Sequence, residues 1–259
     1  MIPFHFGSSE APLFGVHHAP ARGARDQGVV IVPPMGQEAL RAHRALRQLG
    51  IALARERYHA LVFDLGCTGD SAGHFEDASL AGWVNDVRTA ADELRDRTGL
   101  ARISFVGLRL GSVHAWRASV GRRDVDKVVL WEPIVHGGAY LADLARRHDD
   151  FLRAEMPDRW HAPARDEALG FPISASLRAE LMSLDLTKEP KPAARSLVAL
   201  HARQGDDERR LDAALPELAA RTRSLVLEPE RDWNSEEAVN SSLVPAAAIA
   251  TIVGLMGER

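Results

Sequence analysis

The chain has 259 residues, 46% hydrophobic and 26% charged, with 32 basic against 36 acidic residues, a formal charge of −4 and one cysteine. That length and balance describe one globular unit with a core of full size, and they leave no electrostatic footprint for a polyanion, so nucleic acid is not an expected partner. Cys67 alone cannot make an internal disulfide or a zinc–cysteine cluster, which suits a reducing cytoplasm.

The opening residues, MIPFHFGSSEAPLFGV, lack a basic stretch followed by an apolar run and a small-residue cleavage site, so no secretory leader is expected. Residues 4–6 and 13–17, with Gly7, Ser8 and Ser9 between them, predict an antiparallel edge hairpin. Short β-branched and apolar runs then alternate with amphipathic segments, as in βα units around a parallel sheet. The predicted strands are 28–32 (GVVIV), 59–63 (HALVF), 102–106 (RISFV), 125–130 (VDKVVL), 196–201 (SLVALH) and 224–227 (SLVL). Their near-continuous apolar character predicts burial on both faces. Helices are predicted over 37–56, 79–98, 111–121, 207–221 and 242–257. The last contains the longest apolar stretch, 244–256, which Thr251 and Gly254 interrupt and which is too short to span a bilayer. Residues 136–192 break the rhythm: Pro157, Pro163, Pro172, Pro190 and Pro192 surround two helix-like stretches, 139–154 and 174–186. They read as a helical cap inserted into the single domain of residues 1–259. A cap of this kind predicts no sheet pairing within 136–192. Twenty-nine of the 32 basic residues are arginines, a skew associated with GC-rich bacterial genomes.

In a doubly wound sheet, ligands and catalytic groups collect beyond the carboxyl ends of the strands. The residues there are Pro33-Pro34-Met35-Gly36-Gln37-Glu38 after the first parallel strand, DLGCTGDSAG (64–73) after the second, GLRLGS (107–112) after the third and Trp131-Glu132-Pro133 after the fourth. Strand, G-x-x-x-G and helix in mid-sheet resembles the nucleophile elbow of α/β-hydrolases. PPMGQE, RAHRALRQL, GLRLGS and LWEPIVHGGAYL together resemble bacterial α/β-hydrolase-like proteins that include the exosortase-associated "hydrolase" group, over nearly the whole chain from Gly28 onward. The resemblance implies a mostly parallel, doubly wound α/β-hydrolase fold with a small helical cap, and a pocket between cap and sheet.

The departures from that pattern bear on activity. Where G-x-S-x-G holds a serine, this chain has Arg109, whose guanidinium stays charged and has neither an acceptor nor practical nucleophilicity. In this fold the triad runs Ser, Asp or Glu, then His. Asp206 and Asp207 fit the acid position, but all eleven histidines lie at or before His201, and the loop expected to carry one reads Glu230-Arg231-Asp232-Trp233-Asn234. Serine-type acyl transfer at this elbow is therefore not expected.

Arg109 has two readings: a donor fork for a carboxylate or phosphate, or an internal ion pair with Glu38 or Glu132 that braces the elbow. Pro34, Met35 and Gly36 occupy the loop that helps build the oxyanion hole in related hydrolases, or simply open a helix whose positive end suits Gln37 and Glu38. The 64–73 loop does not match a phosphate-binding loop and reads as a turn. Cys67 lies near a strand end but reads as a small turn residue without an activating base. Ser112 is a candidate helix cap and His114 a packed residue, while His136 and His161 come from the cap and are candidates to face the pocket. Trp83, Trp116, Trp131 and Trp160 read as packing residues, with Trp233 at an expected pocket wall. Pro34, Met35, Glu38, Arg109, Leu110, Glu132, His136 and Trp233 are the candidate ligand contacts. No metal-binding spacing is present, so neither metal nor other cofactor is expected. Two functional classes follow. One is a pseudohydrolase whose pocket binds a small molecule or acyl group, carboxylate-bearing ligands included. The other is an enzyme of non-serine chemistry, by activated water or lyase-like proton transfer, with Glu38, Asp206, Asp207 or a cap histidine as base. A homo-oligomer is compatible with both.

Overall fold

The computed structural model describes residues 1–155, 166–219, 221–227, 233 and 244–258. Trp160, His161, Pro157, Pro163 and the loop residues Glu230, Arg231, Asp232 and Asn234 lie outside the described residues.

The N-terminal hairpin forms as predicted from its alternating apolar residues: β1 (Ile2–Gly7) pairs antiparallel with β2 (Pro12–His18), which in turn pairs antiparallel with β4 (His59–Phe63). The other pairings are parallel and join β4 to β3 (Gly28–Val32), then β5 (Ile103–Leu108), β6 (Val125–Trp131), β9 (Ser196–His201) and β10 (Thr222–Val226). The eight-stranded order is β1-β2-β4-β3-β5-β6-β9-β10. Each inner strand is apolar on both faces because each face meets a helical layer. Val30, Val32, Phe105, Leu130 and Leu197 look toward α2 (Leu80–Thr98) and α3 (Leu110–Ser119), whereas Val29, Ile31, Val106, Val129 and Val198 look toward α1 (Gly36–Arg55) and α7 (Ala246–Gly257). The outermost strand departs from the expectation of two-faced burial. In β10 no residue is fully buried, because an edge strand has a neighbour on one side only.

The 136–192 segment comprises α4 (Gly137–Glu155), β7 (Glu167–Ala168), β8 (Phe171–Pro172) and α5 (Ala175–Met182). The expectation that it holds no sheet pairing is not met. β7 and β8 form a two-residue antiparallel hairpin, and His136 bridges to Asp185. The hairpin turns on Leu169 and Gly170, both at positive φ, and stays apart from the eight-stranded sheet. After β9, α6 (Asp206–Leu218) ends three residues short of its predicted limit, and β10 begins at Thr222.

Several histidines are buried as neutral groups. His114, on α3, packs its ring edge-on against Trp83 at 5.4 Å, and neither ring nitrogen has a hydrogen-bond partner among the described residues. Burial holds its pKa down at about 3. Burial likewise lowers His17 and His18 to about 4, with His59, which hydrogen-bonds the His17 ring at 2.9 Å, adding to the effect at His17. The unfolded chain takes up these protons near pH 6.5 and the folded chain does not, so stability falls as pH drops from 6.5 toward 3. His114→Leu should remove one such proton. Between pH 6.5 and 4.5 its stability is expected to fall less steeply than that of the wild type, by up to about 1.4 kcal/mol per pH unit. Urea unfolding at several pH values measures this, and parallel curves for the two proteins would contradict it.

Candidate functional site

The turn from β5 into α3 is the tightest junction in the sheet. A side chain at Gly107 would place Cβ 2.3 Å from the Gly111 carbonyl oxygen, and one at Gly111 would come within 2.5 Å of the Val32 and Pro33 oxygens. The two glycines therefore let α3 start directly against the ends of β5 and β3. Between them Arg109 sits at φ 54° and ψ −120°, a conformation that L residues rarely hold and that marks a strained turn. Its N–H donates to Trp131 O at 2.9 Å, and its carbonyl accepts from Ser112 N. Ser112 does not cap α3. It lies inside the helix, and its hydroxyl donates to Gly107 O at 2.6 Å, which ties helix to strand.

The Arg109 side chain meets Glu38 from the first turn of α1. Nε donates to Glu38 Oε1 at 3.0 Å, and the Tyr140 hydroxyl, from the first turn of α4, donates to Oε2 at 3.0 Å. Glu38 is 1% exposed, so both oxygens of a buried carboxylate are satisfied. Arg109 keeps 21% of its side chain exposed. Burial works against its charge, but Glu38, Tyr140 and Glu132 outweigh burial and raise its pKa. Tyr140 is raised well above 10 by burial and by the Glu38 charge. Among the described residues only Nε of the guanidinium has a hydrogen-bond partner, and the two terminal nitrogens are not among the buried atoms.

Glu132 follows β6 at φ 48°, a second strained non-glycine position. Its Oε1 accepts from Trp233 Nε1 at 3.1 Å; the Trp233 ring lies edge-on to Trp131 at 5.5 Å, and its carbonyl accepts from Arg41. Pro34 and Met35 are buried, and Leu110 is fully buried at the start of α3. In the hydrolase arrangement the amide after the nucleophile position and one from the loop after β3 face the reacting oxygen. Here those amides belong to Leu110 and Met35, and neither donates to another described residue. α4 and the β7–β8 hairpin lie over this loop. Tyr140, Leu144, Leu169 and Phe171 close on residues 35–38 and leave a cavity of about 10 Å³, too small for more than a single water.

The remaining candidates lie apart from this cluster. Asp206 and Asp207 open α6 on the surface and pair locally with Arg209 and Arg210. His136 caps α4, accepting from Ala139 N. His201 is buried and spends its Nε2 on Asp212 at 2.8 Å within its own βα unit. In the 64–73 loop Cys67 takes φ 66°, and its N–H donates to Ala72 O. Burial together with Asp77 and Asp86 raises its thiol pKa, the reverse of activation. Among the described residues no cluster of three His, Cys, Asp or Glu can hold a metal ion. Sequence reasoning does not single out Tyr140 or Arg41. A tyrosine two residues after a pair of glycines, Gly137 and Gly138, at a helix start is the only local signal for the first, and nothing local marks the second.

No protein-family profile matches the chain, and no curated protein matches it. Solved structures do. Est1E from Butyrivibrio proteoclasticus, with ferulic acid bound, superposes with a TM-score of 0.68 at 12% identity, covering 98% of this chain and 97% of that one. A hypothetical protein from Pseudomonas aeruginosa gives 0.66 at 16% identity, covering 98% and 92%. Alpha/beta hydrolase domain-containing protein 10 from mouse gives 0.60 at 17%, covering 99% and 98%. The fold is thus the α/β-hydrolase fold, with a mostly parallel eight-stranded sheet flanked by helices. No described helix is long and apolar enough to cross a membrane.

Breaking a buried pair strands one charge, which costs more than replacing both partners by apolar groups. Arg109→Met should therefore lose about 2–3 kcal/mol, less than a fully buried pair would, because a fifth of the arginine is exposed. Adding Glu38→Leu should restore most of that. Urea unfolding of the two variants measures the difference, and an Arg109→Met protein within about 0.5 kcal/mol of the wild type would contradict the brace.

Proposed function

We propose that this protein is a pseudohydrolase whose elbow binds a small carboxylate-bearing or acyl molecule rather than cleaving an ester. The observation that carries this reading is Arg109 itself: the nucleophile position keeps its strained backbone, yet it presents a guanidinium locked through Nε to Glu38 with its terminal nitrogens accessible. An end-on fork of two N–H donors suits a carboxylate or the carbonyl of an ester. Because Glu38 already neutralises the arginine, the fork offers directed hydrogen bonds more than net charge. Neutral acyl carbonyls are therefore accepted alongside carboxylates, and binding should depend weakly on salt. The Met35 and Leu110 amides add donors of the kind that serve an oxyanion hole. Est1E, similar in fold, holds an aromatic acid, which makes ferulate a reasonable probe here.

In this reading α4 and the β7–β8 hairpin cover the elbow, and Tyr140 does two tasks there. It closes over the 35–38 turn, and it donates to Glu38 Oε2 beside the Arg109 contact on Oε1. A ligand entering on that side has to displace Tyr140 or Phe171. The resemblance to the exosortase-associated group belongs to this proposal as well, through PPMGQE, GLRLGS and LWEPIVHGGAYL.

The alternative, hydrolysis or proton transfer without a serine, has lost several of its bases. Glu38 is engaged by two donors, Asp206 and Asp207 pair on α6, and His136 caps α4. The other cap candidate, His161, lies outside the described residues.

A fluorophosphonate probe should leave the protein unlabelled, and ferulate or octanoate should raise its melting temperature. That shift should disappear in the Arg109→Met/Glu38→Leu double variant. Stoichiometric labelling would overturn the pseudohydrolase reading, and an undiminished shift in the double variant would remove Arg109 from the ligand site.

A further inference from the structure

At the opposite end of the sheet, where the parallel strands begin, lies an open cleft of about 910 Å³ between the strand starts and the C-terminal end of α7. Its charge runs against that of the protein. Arg25, Arg102, Lys127, Arg195, Arg221 and Arg223 line it, opposed among the described residues by Asp26, Asp126 and Glu258, whereas the chain as a whole carries −4. Some of these charges are already committed. Lys127, 4% exposed, donates to the Leu255 and Glu258 carbonyls and so answers the negative end of α7. Arg223 pairs with Glu258 at 2.9 Å, and Arg25 donates to Glu56 O while stacking over the Tyr58 ring.

Three arginines remain, and the strand pattern places them. Arg102, Arg195 and Arg221 each stand one residue before a strand, β5, β9 and β10 respectively. The ladder fixes their backbones: the Arg102 carbonyl accepts from Gly28 N, and the Arg221 carbonyl accepts from Leu197 N, each at 2.9 Å. Since β5, β6, β9 and β10 are successive in the sheet, the row spans about 14 Å at the usual strand spacing. Arg102 and Arg195 both turn toward one carboxylate oxygen of Asp126, at 3.9 and 3.8 Å, beyond hydrogen-bonding distance. Arg221 is exposed and has no ion-pair partner among the described residues.

We infer that this cleft is a second ligand site, distinct from the elbow, for a small molecule bearing a chain of phosphoryl groups. One planar carboxylate is satisfied by one guanidinium fork, whereas a phosphoryl group offers three oxygens that guanidinium groups from neighbouring strands can share. Two arginines converging loosely on a single acceptor, with a third one strand beyond, form an arrangement of the second kind. The cleft's volume falls within the range of small-molecule sites.

The test is calorimetric titration with inorganic pyrophosphate at constant ionic strength, using the wild type, an Arg195→Gln/Arg221→Gln variant and the Arg109→Met/Glu38→Leu variant. Both substituted cleft arginines are exposed and hold no close ion pair, so the first variant should keep its fold and melting temperature. Saturable binding is expected in the wild type, weakened about tenfold or more in the cleft variant and unchanged in the elbow variant. Three results would overturn the inference: no saturable binding to the wild type, equal affinity in the cleft variant, or citrate binding as tightly as pyrophosphate. Weakening in the elbow variant alone would move the anion site to Arg109.

Discussion

A carboxylate buried at the start of a helix must be neutralised, and in this protein that need governs what stands at the centre of the sheet. Glu38 is sealed beneath α4 and accepts from Arg109 on Oε1 and from Tyr140 on Oε2. Three elements that are distant in sequence meet on this one group: the first turn of α1, the turn after β5 and the first turn of α4. Removing Arg109 or Glu38 leaves an unpaired charge, and removing Tyr140 takes a donor from a buried carboxylate oxygen, so the cluster is held by the penalty for taking it apart.

The backbone around this cluster is a tight strand–turn–helix junction in the α/β-hydrolase fold. Gly107 and Gly111 permit the contact between helix and strands, and Arg109 and Glu132 both sit at positive φ. Such strain persists only where surrounding structure over-determines it. In the hydrolase arrangement the strain serves to expose a nucleophile. Here the same turn holds a cation whose inner nitrogen is hydrogen-bonded to Glu38 and whose outer nitrogens have no partner among the described residues.

Much of the fold is legible in the sequence because its inner strands are apolar on both faces and its glycines stand where the backbone crowds. GVVIV, HALVF and SLVALH give strands at their predicted limits. Edges and turns are harder to read. β10 is exposed despite its apolar ending, and the β7–β8 hairpin has only two residues per strand, too few to carry a period. At the site, Arg109 is visible at once because a fixed motif gives its position an expected occupant. Glu38 is one of two candidate partners in the sequence, and only the packing of α1 against the elbow selects it over Glu132, which Trp233 engages instead. Tyr140 is invisible to motif reasoning, since its role depends on where α4 lands. The arginines before β5, β9 and β10 are likewise hidden by an overall negative charge, because net charge averages over faces that the fold separates.

The central claim is that the elbow arginine is locked from within and open at its tip. Nitrogen-15 NMR of the arginine side chains tests it directly, with Arg109 assigned by its absence from the Arg109→Met spectrum. The account predicts an Arg109 Nε–H signal that resists exchange with water because Glu38 holds it, together with terminal-nitrogen signals that shift when ferulate is added. An Nε–H that exchanges as fast as those of exposed arginines, or terminal nitrogens indifferent to ferulate, would contradict it.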